Sequence, residues 1–429
     1  MTWSNWAGNQ TMTPVRVVRP TSEDELVAAV TQAAADGLTV KAIGSGHSFT
    51  AIGLTDGVLL DLSGYAQVIS LDRASGLVTV TAGMPLHQLN ALLAAAGLGL
   101  TNMGDIDRQT VSGAVSTGTH GTGRDSAGFG MQLAGLSLVL ADGSVVSCSP
   151  SERPELFDLA RVGLGALGIL STVTFQAEPA FLLQAQEGPL PLSKVLSEFH
   201  QLVADNEHFE FYWFPHTDVA LTKRNNRVSE AAPLGRVRKA VDDEILSNGL
   251  FQATCSLGAK VPVLIPRINK IAARALSART YADSAPAIYT SPRRVRFREM
   301  EYAIPRAELP SLFAELRTLP ERHGMRVSFP VEVRVAPADD VPLSTAYQRD
   351  SAYVAVHVYK GTPFEPYFAE VEKLFAAVAG RPHWGKLHTL DATTLRERYP
   401  RFDDFVALRD ELDPERRFGN AYLARVLGP

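Results

Sequence analysis

The stretch Ile43-Gly44-Ser45-Gly46-His47-Ser48-Phe49-Thr50 decides the fold of this chain. It follows residues 39–43, whose apolar and β-branched side chains predict a strand. Glycine lacks a Cβ, so two glycines beside serine and threonine let backbone N–H groups come close to a phosphate. A tight structural turn has the same composition. The stretch therefore predicts either a turn or a cradle for a pyrophosphate.

A second glycine-rich run has the same chemistry over a longer stretch. It is Val111-Ser112-Gly113-Ala114-Val115-Ser116-Thr117-Gly118-Thr119-His120-Gly121-Thr122-Gly123. The run has no acidic residue, and small hydrogen-bond donors without negative charge suit an anionic ligand. A glycine-rich structural loop is the alternative interpretation.

A third glycine pattern, Gly163-Leu164-Gly165-Ala166-Leu167-Gly168, matches the dinucleotide fingerprint G-x-G-x-x-G. That fingerprint requires a strand before it and a helix after it. Here residues 155–162 predict a helix and residues 169–175 predict a strand, which is the reverse order. We therefore interpret this pattern as close backbone packing, not as a nicotinamide site.

Composition excludes several classes of protein. The chain has 429 residues, 45% hydrophobic and 20% charged, and a net charge of −5, which argues against a nucleic-acid platform. No apolar run reaches the about 18 residues of a membrane span, and no signal peptide is visible. Cys148 and Cys255 are the two cysteines, so a disulfide scaffold and a cysteine zinc site are excluded and a reducing cytoplasm is expected. The ten histidines lack the spacing of a metal motif, so no metal is predicted.

The first 180 residues alternate between helix and strand signals. Ser22-Glu23-Asp24-Glu25 has the spacing of a capping box, and Gly37 is expected to end the helix that follows. Residues 133–148 predict a hairpin with Asp142-Gly143 at its turn. The pattern indicates an α+β fold without an internal repeat.

From residue 179 onward, helices alternate with strands that carry aromatic residues. These strands are predicted at residues 209–214, 327–335 and 353–359. Alternating strands have one face on a core and leave the other free for a site. The basic stretch at residues 223–239 is interpreted as a solvated loop or lid, not as an anion site.

Three motifs together resemble the vanillyl-alcohol-oxidase-type FAD flavoproteins, and within them the aldonolactone and alditol oxidoreductase branch. They are the run at residues 44–48, the run at residues 116–123, and His383-Trp384-Gly385-Lys386-Leu387-His388, and they occur in the order found in that family. The resemblance implies a two-domain split FAD-binding fold of the PCMH type with an inserted α/β substrate (cap) domain. The FAD-binding domain would span residues 1–178, the cap residues 179–394, and residues 395–429 would return to the FAD-binding domain.

The resemblance also implies that FAD lies between the two domains, a usual place for a ligand. The residues expected to contact FAD are Gly44, Ser45, Gly46, His47, Ser48, Gly104, Asp105, Ser112, Gly113, Thr117, Gly118, His120, Gly121 and Ile169. The histidine that matches His47 bonds covalently to the 8α-methyl group of FAD in this family, which raises the potential of the flavin and anchors it. A histidine hydrogen-bonded in a turn is the alternative for His47.

Glu332 and Arg334 are two residues apart in a predicted strand, so their side chains point to the same face. A surface ion pair is the alternative interpretation. The resemblance implies that Glu332 holds substrate hydroxyls, that Arg334 lies near the flavin pyrimidine edge, and that Lys386 lies beside flavin N1. Two fixed cations there would stabilise the negative charge that develops when the flavin takes a hydride.

His357 shares a strand face with Tyr359 and is a candidate base for the substrate O–H, with a buried core histidine as the alternative. In the resembling family, a glycine at the position of Gly104 leaves a path for oxygen, which favours an oxidase. Some close members are dehydrogenases, so the acceptor stays open between oxygen and another molecule. Asp105 replaces the serine of alditol oxidases, which favours a lactone over a polyol.

The resulting prediction is FAD-dependent oxidation of a sugar-derived lactone, similar to L-gulono-1,4-lactone, at its C2 hydroxyl. A hydride would pass to flavin N5, and oxygen or another acceptor would reoxidise the flavin. The alternatives are an alditol oxidase acting on xylitol or sorbitol, an NADPH-dependent reductase of the same fold, and a flavin-binding protein without turnover. No nucleic acid is expected as a partner.

Overall fold

The computed structural model describes residues 2–235, 249, 251–291 and 293–429. The strands among these residues are β1 Trp3–Ser4, β2 Thr11–Met12, β3 Arg16–Val18, β4 Val40–Ile43, β5 Val58–Asp61, β6 Val68–Asp72, β7 Leu77–Thr81, β8 Leu98–Gly99, β9 Leu133–Val139, β10 Val145–Cys148, β11 Ile169–Gln176, β12 Glu178–Pro179, β13 Leu182–Pro191, β14 His208–Trp213, β15 Val219–Val228, β16 Arg279–Ser284, β17 Phe297–Pro305, β18 Val331–Ala336, β19 Ser351–Tyr359 and β20 Arg381–Pro382.

The α-helices among the same residues are α1 Glu23–Ala35, α2 Leu86–Ala95, α3 Val111–Ser116, α4 Pro154–Ala160, α5 Leu192–Ser197, α6 Phe199–Ala204, α7 Phe251–Lys260, α8 Ile265–Ala275, α9 Ala285–Tyr289, α10 Leu309–Leu316, α11 Leu319–Arg322, α12 Glu365–Ala377, α13 Ala392–Arg398, α14 Phe402–Leu412 and α15 Ala421–Leu427. The predicted mixture of helices and strands is therefore confirmed.

The N-terminal part is built on two small sheets. Strands β3, β5 and β4 form a parallel sheet, and β10, β9, β11, β7 and β6 form an antiparallel one. Helix α1 begins after Ser22, whose side chain accepts from the N–H of Glu25, as the capping pattern predicts. The Glu25 carboxylate accepts from Thr21 and not from Ser22, so the box closes one residue earlier than predicted. The hairpin of β9 and β10 is confirmed, with Gly143 at positive φ in its turn.

The larger part is built on an eight-stranded antiparallel sheet in the order β16-β13-β15-β14-β18-β19-β17-β20. One face carries apolar side chains that pack with helices α5, α6, α10 and α12 into a single core. Successive side chains of a strand point to opposite faces, so the intervening residues point the other way. The second face therefore holds the polar side chains of the central strands, namely Glu210, Tyr212, Glu299, Glu301, Glu332, Arg334, Tyr353 and His357.

One expectation for this part is wrong. The basic stretch was expected to be a loop from residue 223, but residues 223–228 continue β15 and pair with β13 on one side and, as far as Asn225, with β14 on the other. Thr222 and Asn225 of β15 are polar but buried. The low hydrophobicity of this stretch therefore gave no indication of a strand inside the sheet. Residues 236–239 of the predicted loop lie outside the described residues.

The C-terminal helices pack against the N-terminal sheets. Phe402, Phe405 and Leu423 share one apolar core with residues of α1, β5 and β11. The amide of Asn420 donates to three carbonyls of the loop at residues 51–54, and the amino group of Lys41 donates to the carbonyls of Gly165 and Phe418 at 2.9 and 3.0 Å. Lys41 thus joins three distant segments. The domain boundaries at residues 178 and 394 stay a prediction.

We expect the Lys41→Met variant to be less stable than the native chain, because two buried carbonyls lose their donor at about 1–3 kcal/mol for each such group. Burial lowers the pKa of Lys41 to about 7, although Asp413 opposes the shift. The unfolded chain, with a lysine pKa of about 10.4, therefore binds more protons between pH 7 and pH 10, so the stability supplied by Lys41 rises with pH across that window. Urea denaturation at pH 7 and pH 9.5 measures the difference between the variant and the native chain.

The exposed Lys260→Met variant is the control, because no ion pair of Lys260 occurs within the described ranges. An equal effect of both substitutions, or a gap between native chain and Lys41→Met that shrinks with pH, would contradict the assignment.

Candidate active site

Two adjoining clefts lie beside the glycine-rich runs, and the second is also lined by residues of the eight-stranded sheet. The first has about 950 Å³ of empty space and the second about 650 Å³, and both are open to solvent. His47, Ser48, Gln109 and Thr117 line both clefts, so the two are continuous.

The first cleft is a cradle of backbone and small polar side chains. A Cβ added to Gly44 would lie 2.1 Å from Thr110 Oγ1, so only glycine fits there. Gly46 has a φ of +68°, which favours glycine. A Cβ at this position would lie 2.8 Å from the Trp3 ring. Among the described residues, no acidic side chain lines this cleft, and Lys41 is part of its wall. The donor set fits the pyrophosphate of FAD, which needs N–H and O–H donors without competing negative charge.

The predicted FAD contacts divide between the clefts. The first cleft is lined by Gly44, Ser45, Gly46, His47, Ser48, Ser112, Gly113, Thr117 and Ile169. The second is lined by Gly104, Asp105 and His120 together with the shared residues. Gly118 and Gly121 line neither cleft; a Cβ on Gly121 would lie 2.2 Å from the Met103 carbonyl, so this glycine lets the chain pass close behind Gly104. Roles for all of these residues stay predictions.

The pattern at residues 163–168 also contributes to the first cleft. It follows α4 and precedes β11, so the reversed order that excludes a dinucleotide fingerprint is confirmed. Leu164, Gly165 and Gly168 nevertheless line the cleft, and a Cβ on Gly168 would approach the Val139 carbonyl at 3.0 Å. Close backbone packing is therefore what these glycines permit.

His47 lies at the junction of the clefts, with the Trp6 ring at a centroid distance of 5.8 Å. Burial and the charge of Lys386 together lower the pKa of His47 to about 4, although Asp105 opposes the shift. The imidazole is therefore neutral at neutral pH, the state in which a ring nitrogen has a free lone pair.

The second cleft is strongly charged. Lys386 lines it and forms an ion pair with Glu299, while its Nζ lies 5.2 Å from the centre of the Phe49 ring. Burial lowers the pKa of Lys386, but Glu299 and Glu301 outweigh that effect and raise it above the ordinary value. Lys386 therefore stays a cation inside the protein.

Glu332 and Arg334 are both buried, so the surface ion-pair alternative is wrong. Arg334 Nη2 forms an ion pair with Glu332 Oε1 at 2.5 Å, and Arg334 Nε donates to Glu210 Oε2 at 3.0 Å. The Tyr212 hydroxyl donates to Glu332 at 3.1 Å. Burial raises the pKa of Glu332, and Arg334 opposes that shift. Arg334 lines the second cleft, whereas Glu332 lies beneath it.

Asp105 lies beside Arg334 and forms an ion pair with Arg293, a residue that sequence analysis missed. Arg293 Nε donates to Asp105 Oδ2 at 2.9 Å, and Arg334 Nη2 lies 3.8 Å from Oδ1. Burial raises the pKa of Asp105, but the charges of Arg293 and Arg334 outweigh it, so the carboxylate is ionised. Arg293 follows β16 and α9 in a loop with no regular pattern, which left no signal for it in the sequence.

Two further acids missed from the sequence, Glu299 and Glu301, lie two residues apart on β17. His120 Nε2 lies 2.7 Å from Glu301 Oε1, and His383 lies beside this pair. The ligand atoms of these three residues lie within 4.8 Å of one another, but the His120 ring already occupies one oxygen of Glu301 at 2.7 Å, so we interpret the cluster as a hydrogen-bonded pair and assign no metal to it. The same spacing of two that identified Glu332 and Arg334 could have identified this second pair.

His357 is 7% exposed and does not line the second cleft. Its Nδ1 lies 3.1 Å from the Pro330 carbonyl, and its Nε2 lies 3.5 Å from Glu299 Oε1. The ring is therefore one contact away from the Lys386 ion pair.

Comparison with known proteins identifies the family of this chain. The profile of D-arabinono-1,4-lactone oxidase matches residues 173–426, and that of an FAD binding domain matches residues 14–149. The chain belongs to the D-arabinono-1,4-lactone oxidase family. It is an FAD-dependent oxidoreductase, as the resemblance in its motifs implied.

Similarity to individual relatives extends over the whole chain. L-gulono-1,4-lactone dehydrogenase of Mycobacterium tuberculosis is 44% identical over 100% of this chain and 99% of its own length. L-gulonolactone oxidase of Bos taurus is 32% identical and the alditol oxidase of a Streptomyces species 31% identical, each covering 99% of this chain and 98% of the relative. The crystal structure of cholesterol oxidase from Brevibacterium sterolicum has 17% identity and a TM-score of 0.83 over 100% of this chain and 96% of its own, which confirms the predicted fold. Within the described ranges, no helix of this family member is long and apolar enough to cross a bilayer.

We expect the Gly44→Ala variant to lose bound FAD, because the new Cβ would overlap Thr110 Oγ1 in the wall of the first cleft. Flavin absorbance per protein after gel filtration measures the loss. Gly99→Ala is the control, since its Cβ meets its nearest described neighbour at 3.8 Å. The double variant Gly44→Ala/Thr110→Ala should recover FAD in part, and full retention of FAD in Gly44→Ala alone would contradict the cradle.

Proposed function

We propose that this protein oxidises the C2 hydroxyl of a sugar-derived lactone similar to L-gulono-1,4-lactone. The observation that carries the proposal is the second cleft, which is lined by the cations Arg334 and Lys386 and by Glu299, whose Oε1 lies 3.5 Å from His357 Nε2. Bound FAD supplies the acceptor for the hydride. The name of the relative from Mycobacterium tuberculosis, which is similar over the full length, supports a lactone as substrate.

His357 is the proposed base for the substrate hydroxyl. Its Nδ1–H donates to the Pro330 carbonyl, which fixes the ring tautomer so that Nε2 carries the lone pair. Nε2 lies on the polar face of the sheet, 3.5 Å from Glu299 Oε1, and is proposed to take a proton from a hydroxyl group held in the adjoining cleft. A purely structural core histidine is the alternative.

Substrate hydroxyls are proposed to bind at the cluster of Glu332, Arg334 and Asp105. Carboxylate oxygens accept from hydroxyl groups, and Arg334 fixes Glu332 in place through a 2.5 Å contact. Because Asp105 is already held by Arg293, the space beside it is narrow and polar, which suits a compact ring better than an extended polyol.

The test of this proposal is anaerobic mixing of the yellow protein with L-gulono-1,4-lactone, xylitol and NADPH in parallel. Bleaching of the flavin by the lactone is expected. Bleaching by xylitol alone would make the protein an alditol oxidase, and bleaching by NADPH alone would make it a reductase.

Gly104 supports oxygen as the acceptor, although a dehydrogenase acceptor is the alternative. Gly104 lines the second cleft, and a Cβ there would lie 3.2 Å from the His120 carbonyl and 3.3 Å from Thr119. A larger residue would therefore narrow the approach to the cleft. Reoxidation by oxygen should be compared with reoxidation by an artificial dye in the same bleached sample, and negligible peroxide with fast dye reduction would overturn the oxidase assignment.

His47 is proposed to hold FAD covalently. A neutral imidazole is the nucleophilic form, and burial keeps the pKa of His47 at about 4. We expect acid-precipitated protein to give a yellow pellet, and the pellet of His47→Ala to be colourless. His200→Ala, an exposed histidine, is the control. A colourless native pellet with all flavin in the supernatant would reject the bond.

Lys386 is proposed to stabilise the negative charge that develops on the reduced cofactor. We expect Lys386→Met to slow anaerobic bleaching by the lactone by about a hundredfold or more while FAD stays bound, which corresponds to the loss of one preorganised charge partner. Lys373→Met, on the exposed face of α12, is the control. An unimpaired bleaching rate would remove Lys386 from the mechanism.

A further inference from the structure

Glu299 lies between the two groups that the proposed reaction needs. Its carboxylate forms an ion pair with Lys386 through Oε2, and its Oε1 lies 3.5 Å from His357 Nε2. The sheet places them together, because Glu299 on β17 is directly opposite His357 on β19. The Glu299 carbonyl also accepts from the N–H of Leu387 at 2.9 Å, so the same residue fixes the loop that carries Lys386.

We infer that Glu299 is a positioning residue that couples the base His357 to the cation Lys386. This inference rests on the proposed function. In the proposed step, the C2–H bond of the substrate gives its two electrons and hydrogen as a hydride to bound FAD, and the O–H proton passes to His357 Nε2, so that a C=O bond forms. The alcohol is oxidised by two electrons and FAD is the oxidant.

The distance of 3.5 Å explains how Glu299 would act. With Nδ1–H committed to Pro330, the neutral ring presents a lone pair to the lone pairs of Oε1, so the contact is unfavourable before proton transfer. After transfer, the positive charge of the ring faces a carboxylate, and the contact becomes attractive. Glu299 therefore favours the product side of the proton transfer, which is the differential stabilisation that accelerates a step.

The surroundings restrict which charges can influence His357. The titratable and charged groups on the elements around this ion pair are Glu299 and Glu301 from β17, His383 and Lys386 from the loop after β20, Arg334 from β18, Tyr359 from β19, Cys255 from α7, and His47, Asp105 and His120 from the segments that line the cleft. Within the described part of the chain, the ion pair of the His357 ring is with Glu299. The rings of Phe297 and Phe329 cover the rest of the imidazole.

The variant that tests the inference is Glu299→Gln, which keeps the shape and removes the charge. Glu301→Gln is the matched control, because Glu301 is equally buried on the same strand face and also faces Lys386, but its direct partner is His120 and not His357. Glu299→Asp keeps the negative charge at a greater distance and serves as the conservative rescue. If Glu299→Gln folds poorly, Glu299→Asp still tests the inference.

The first readout is the pH profile of anaerobic flavin reduction by the lactone. Glu299→Gln removes the negative charge that faces the ring, so the midpoint of the acidic limb should move to lower pH than in the native enzyme. The plateau rate should fall at least tenfold, since a weaker base takes the proton less readily. Glu301→Gln should leave the midpoint unchanged, and Glu299→Asp should return it toward the native position.

The second readout needs no turnover. Histidine-selective NMR titration of the FAD-loaded protein, with His357→Ala to assign the signal, should show the His357 midpoint moving to lower pH in Glu299→Gln and staying in place in Glu301→Gln. Equal shifts in both variants, or none in either, would overturn the inference. If no lactone bleaches the native protein, the proposed function fails, while this titration still decides whether Glu299 and His357 are coupled.

Discussion

The pleat of the eight-stranded sheet is the constraint on which the rest of this protein depends. Every second side chain of β14, β17, β18 and β19 is committed to the apolar core beneath helices α10 and α12. The intervening residues have to face the other way, toward the glycine-rich segments. A shift of register by one residue would put Glu332, Arg334 and His357 into the core and expose the valines between them, so burial of one face fixes the position of every group on the other.

The polar face of the sheet is itself buried, which makes its charges interdependent. Taking an ion out of water costs several kcal/mol unless a partner and further hydrogen bonds offset the cost. Lys386 meets Glu299, Arg334 meets Glu332 and Glu210, and Asp105 meets Arg293. Lys386, Arg334 and Asp105 are therefore each held in place by a partner of opposite charge. Such pairing keeps the positions of several charges fixed inside a protein.

The two clefts differ in their electrostatics. The first is formed by glycines, hydroxyl groups and backbone, with no acidic side chain among the described residues, a set that suits an anionic ligand. The second is lined by charged side chains from several strands and loops. His47 lies where the clefts meet, and its neutral ring is suited to a boundary between the two environments.

The sequence by itself determined what depends on neighbours in the chain. The turn at Gly44 and Gly46, the hairpin at Asp142-Gly143 and the shared face of Glu332 and Arg334 all follow from backbone geometry over a few residues, and the order of three motifs was enough to indicate the family. Tertiary structure alone decided which ions meet. Arg293 contacts Asp105, Glu299 lies between Lys386 and His357, and Lys41 contacts Phe418, and each of these contacts joins residues far apart in the chain. Asn225, in the polar part of β15, is buried where β13 and β14 pair on its two sides. Such contacts depend on strand order and register, which local propensity does not encode.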